Sequence, residues 1–109
     1  MKVSVRSTGA GVVSRLGPHV EALVRAVLDS PGATTPAMRR RVRDGTANEE
    51  VLGPYLAKVR QHAYRVVDAD VQALTAQGLS DDAIFEVTIA AALGEAERRL
   101  DAGLAVLER

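Results

Sequence analysis

From Ala83 to Leu93 the chain carries one charge, Glu86, and one other polar side chain, Thr88. An apolar run of this length, continued towards Leu107 by Ala, Leu and Gly, is too long for a strand and predicts a helix buried nearly all round. A chain of 109 residues has room for about one core, which must be built on that helix. Hydrophobic residues make up 47% of the sequence but aromatics only 3%, so Ala, Val and Leu fill the core, with Tyr55, Tyr64 and Phe85 as its large rings. Such a mixture suits closely packed helices better than sheets, which favour aromatic and β-branched residues. The expected fold class is all-α, a compact helical bundle with a long buried C-terminal helix.

The preceding segments read as shorter helices. Residues 1–10 are polar and form an expected N-terminal arm, leaving 11–109 as a single helical domain. Pro18 suits a first turn, and Val20, Leu23, Val24, Val27 and Leu28 form one apolar stripe that Ser30-Pro31-Gly32 ends. Thr35 and Pro36 open a second helix that stops at Gly45. Thr46 or Asn48 is placed to cap a third helix, running through Leu52, Leu56, Val59, Ala63 and Val66, with Gly53-Pro54 setting its start or kinking it. Asp68 caps a further turn that closes at Gly78, and Ser80 caps the long helix, with Asp81 and Asp82 near its positive end. Beyond Gly94 a thinner stripe of Ala96, Leu100, Gly103, Leu104 and Leu107 gives this helix a second apolar face. That is more apolar surface than so small a domain covers, which predicts a homo-oligomer.

Charge is balanced overall but not along the chain: residues 1–65 carry 11 Lys/Arg and 5 Asp/Glu, residues 66–109 carry 3 and 9. Interleaving of the two halves in the fold would neutralise both. The absence of cysteine excludes disulfides, thiolate metal sites and thiol catalysis. No signal-like or membrane-spanning run is present, so a cytoplasmic protein without a membrane partner is expected, and no motif calls for a metal or cofactor. Arg39, Arg40 and Arg41, with Arg43, are the densest charge and are candidates for a small acidic ligand. Nucleic acid is a poor fit. The helix-corner-helix of residues 71–87 has helix-turn-helix spacing, but its recognition position would begin with Asp81-Asp82 and carry Glu86 against phosphates.

The segment HAYRVVDADVQALTAQGLSDDAIFE, residues 62–86, resembles the alkylhydroperoxidase D and carboxymuconolactone decarboxylase superfamily. The resemblance covers about 45 residues and rests on Tyr64, Leu74, Gly78, Leu79, Ser80, Ile84 and Glu86. It implies an all-helical oligomer of the alkylhydroperoxidase-D-like type. The redox members carry Cys-x-Tyr-Cys-x-x-x-His, and on this chain those reactive positions fall on His62, Arg65 and Ala69. Arginine cannot attack a peroxide and alanine cannot carry a proton, so thiol peroxidase chemistry is not expected. The favoured reading is a non-redox binding or accessory protein of that fold. The alternative is a cofactor-free decarboxylase or isomerase acting on a small acid. In it His62 moves the proton, Arg65 holds the carboxylate from the same helix face, Glu50 orients His62, and Tyr64 joins the ligand contacts.

Overall fold

The computed structural model describes residues 17–47 and 52–107. Five α-helices follow in order: α1 Pro18–Asp29, α2 Pro36–Asp44, α3 Gly53–His62, α4 Asp68–Ala76 and α5 Asp81–Leu107, with one 3-10 turn, Ala63–Arg65, between α3 and α4. The described residues contain no strand, and the fold is all-α. The arm expected at residues 1–10 lies outside the described residues.

Local chemistry sets the boundaries. The Thr35 hydroxyl accepts from the Met38 N–H at 3.1 Å, and Pro36 loses nothing by lacking an N–H in the first turn. Gly45 ends α2 at φ +80°, and the Thr46 N–H reaches back to the Arg41 carbonyl at 2.9 Å. Gly78 repeats the device after α4: at φ +98° it donates to the Thr75 carbonyl, while Leu79 donates to the Leu74 carbonyl at 3.2 Å. Leu74 is buried and Leu79 packs beside it, completing the apolar clasp of that cap. Ser80 Oγ then accepts from the Ala83 N–H at 3.1 Å and opens α5.

Two expected caps are corrected. Gly53-Pro54 sets the start of α3, and the Thr46 hydroxyl bonds to the Arg41 carbonyl, closing α2; Asn48 lies outside the described residues. Asp68 is already in the first turn of α4, whose cap comes from Asp70: its carboxylate accepts from the Val67 N–H at 2.9 Å. A carboxylate three residues into a helix reaches back over the orphan donors in this way.

All four other helices pack on α5. Its buried face, Ile84, Val87, Ala90 and Ala91, meets Val42 of α2, Leu56 and Val59 of α3 and Leu74 of α4. A satellite cluster joins Val24 and Leu28 of α1 to Leu93. At Gly94 the backbones of α2 and α5 touch: a Cβ placed there would lie 2.0 Å from the Arg43 carbonyl oxygen. Arg98 donates to the same oxygen at 3.0 Å. The small residues of this helix therefore act as a packing device, as their spacing suggests.

The prediction that residues 83–93 are buried all round is corrected, because Phe85 is 64% exposed and Ala92 is open. The four partner helices leave Phe85 and Ala92 of α5 uncovered among the described residues. Of the three rings, only Tyr55 belongs to the core. Its hydroxyl donates to Thr88 Oγ1 at 2.7 Å, since the Thr88 proton is itself directed to the Ile84 carbonyl at 2.6 Å. On α1, Leu23 is 60% exposed, so the buried stripe narrows to Val20, Val24, Val27 and Leu28.

Candidate functional site

The residues expected to carry acid-base chemistry meet on a surface turn. His62 closes α3 and leaves helical geometry at φ −146°, so α3 does not continue through Arg65. His62 and Arg65 consequently do not share a helix face, and His62 is exposed. Tyr64 nevertheless gathers both. Its ring stands edge-on to His62 at 6.0 Å between centroids, and the Arg65 guanidinium lies over it at 5.7 Å. Glu50, the expected orienting acid, lies outside the described residues.

The arginine cluster divides rather than converges. Arg39 is buried and donates to the Val27 carbonyl at 2.8 Å and to the Ser30 and Thr34 carbonyls, tying off the end of α1 and the loop after it. Arg40 pairs with Asp29 at the surface. Arg43 bonds to Asp44 and approaches Glu97 at 3.8 Å. The same loop is fastened from the other side by Glu86. Its carboxylate accepts from the Ala33 and Thr34 N–H groups at 2.8 and 2.7 Å and from the Thr34 hydroxyl at 2.6 Å. The Thr34 hydroxyl, followed by the two backbone donors, holds the Glu86 carboxyl below the usual carboxylate range. A Cβ at Gly32 would fall 2.5 Å from a Glu86 carboxylate oxygen, so a larger residue there would displace the end of the Glu86 side chain.

One cleft unites chemistry-bearing groups from two helices. It lies between Pro54, Tyr55 and Lys58 of α3 and Ala69, Asp70, Ala73 and Leu74 of α4, with a volume of about 240 Å³. Lys58 Nζ bridges both oxygens of Asp70 at 3.0 Å. The Val67 N–H, and after it Lys58, holds the Asp70 carboxyl below its ordinary range. Two of the three ammonium protons are thus directed to Asp70, and the third remains for an oxygen of a ligand. Sequence reasoning missed this pair, since twelve residues and a broken helix separate its members. The available signal was Asp70 itself, a carboxylate at the third position of a helix. His62 and Arg65 do not line this cleft.

No protein-family model, no curated protein and no solved structure matches this chain. The described residues hold no group of three His, Asp or Glu suited to a metal ion, and no helix long and apolar enough to cross a membrane. Of the carboxylates that a helix-turn-helix reading would set against phosphates, Glu86 is taken up by the Ala33 and Thr34 N–H groups. One further group stands out. Glu97 is buried beside Arg43, and among the described residues neither of its carboxylate oxygens has a hydrogen-bond partner. Burial raises its pKa against the opposing pull of Arg43 and Arg98.

Proposed function

We propose that this chain is a non-redox, oligomeric binding protein of the alkylhydroperoxidase-D-like type, and that it takes a small carboxylic acid in the α3–α4 cleft. The observation carrying this reading is the Lys58–Asp70 pair at the rim of a pocket whose other walls are mainly apolar. An acid fits better than a base for two reasons. Lys58 retains a donor, and the cleft opens at the N-terminal turn of α4, where the aligned peptide dipoles favour negative charge. Ala69, at the position where the redox proteins of the resemblance carry histidine, gives this pocket a methyl wall instead of a proton carrier. The helix, Gly78 corner and long helix from Asp68 to Leu107 support the kinship in fold.

The test is titration of the 15N-labelled protein with short aliphatic and aromatic acids. Shifts should concentrate at Tyr55, Lys58, Asp70 and Ala73, and Lys58→Met should weaken binding about tenfold, the loss of one charge-assisted hydrogen bond. Acids that leave these resonances unmoved, or that bind Lys58→Met equally well, would refute it. The gathering of His62 and Arg65 around Tyr64 favours a second reading, acid-base turnover of a small acid at that turn. It requires His62→Ala to abolish turnover in a protein that remains folded.

A further inference from the structure

One side of α5 has no neighbour among the described residues. Phe85, Ala92, Ala96, Leu100, Gly103 and Leu107 are all exposed and fall on a single stripe, about 33 Å long at 1.5 Å per residue. Phe85, Leu100 and Leu107 are 64%, 47% and 80% exposed, and Gly103 has open space where a Cβ would be. At its N-terminal end the stripe continues into a cleft of about 170 Å³ between α1 and α5, walled by Ala26, Val27, Pro31, Phe85 and Ile89. Leu23 adds a further exposed apolar group on α1.

We infer that the occupant of this face is α5 of a second copy of the chain, running antiparallel with Ala96 on the two-fold axis. Three features select this partner and register. The first is size. With Ala96 facing itself, Leu100 of each copy meets Ala92 of the other, Ile89 meets the space at Gly103, and Leu107 meets Phe85. Each large side chain along the middle of the stripe then lies against a small one, as close helix packing requires. The second is charge. Glu95 and Arg99 flank the stripe on one side, already paired within the chain at 3.0 Å. In the antiparallel register Glu95 of one copy lies beside Arg99 of the other, and symmetry provides this contact twice. The third is the cleft, because Leu107 of the second copy arrives at the level of Phe85 and Ile89, where the α1–α5 groove is open. A parallel arrangement would instead set Phe85 on Phe85 and Leu100 on Leu100, leaving Gly103 opposite an equal gap.

This inference rests on the oligomeric part of the proposed function and gives it a helix, a direction and a register. The chain contains no cysteine, so single cysteines can report on the contact cleanly. Under mild oxidation Ala96→Cys should link to itself. Ala92→Cys alone should link about tenfold more slowly, because its own copies lie well beyond the ~7 Å Cα separation a disulfide spans. A mixture of Ala92→Cys and Leu100→Cys chains should form the mixed dimer. The unmodified protein should sediment at twice 11.5 kDa, and Ala96→Glu, exposed in the single chain, should sediment at 11.5 kDa with unchanged helicity. Equal self-linking of Ala92→Cys and Ala96→Cys in a protein of doubled mass overturns the antiparallel register and leaves self-association standing. A mass of 11.5 kDa for the unmodified protein overturns both, and wild-type mass for Ala96→Glu overturns α5 as the interface.

Discussion

At the scale of single residues, one glycine has a role that composition does not reveal. Gly94 is small because the Arg43 carbonyl oxygen occupies the place of its side chain. Gly94→Ala must push α2 off α5 at a point where Arg98 also bonds, and it should cost about 3 kcal/mol, at the upper end for overpacking by one methyl. Urea denaturation measures this directly; a loss under 1 kcal/mol would mean that the crossing adjusts freely. Gly94 was legible as part of a small-residue run, but its partner was not, since no local pattern ties it to a carbonyl 51 residues earlier. Arg39 shows the opposite failure. Four arginines in five positions suggested a ligand surface, yet one is buried and bonds three backbone carbonyls through its two terminal nitrogens. Charge density along a sequence does not indicate which side chain turns inward.

At the scale of elements, caps were the most readable features and connections the least. Thr35, Gly45, Gly78 and Ser80 act where they were expected to, because each depends on bonds made within a few residues. The end of α3 at His62 was not foreseen, because apolar spacing continues through Val66. That break separates His62 from Arg65 and brings Lys58 to Asp70, so the candidate site moved while the elements stayed in place. The α1–α2 loop is held by Glu86 through three hydrogen bonds, within reach of solvent. Glu86→Gln keeps the shape but loses the charge, and should cost about 1–2 kcal/mol after allowance for screening. Amide exchange at Ala33 and Thr34 should accelerate with it; unchanged protection there would show that Arg39 alone holds the loop.

At the scale of the whole molecule, the two halves of opposite charge interlock through contacts such as Lys58–Asp70 and Arg43–Glu97, consistent with mutual neutralisation. Stability should depend on pH from two sides. Asp70 and Glu86 have carboxyls held low in the fold, so their contribution is present above their ordinary range and is lost as pH falls through the folded values. Glu97, raised by burial, acts in the opposite sense: as pH climbs from its ordinary value to its folded one, the unfolded chain releases the proton first and stability declines. Denaturation followed across pH should show the high-side decline vanish in Glu97→Gln and the acid loss shrink in Glu86→Gln. A decline that persists in Glu97→Gln would place its origin elsewhere. The dominance of α5 also has a consequence for synthesis. The helix on which every other one packs is translated after them, so the 80 residues that precede Asp81 emerge over roughly 4–16 s with no core to join. A chain stalled before Asp81 would carry four helices without the face, Ile84 to Ala91, on which they pack.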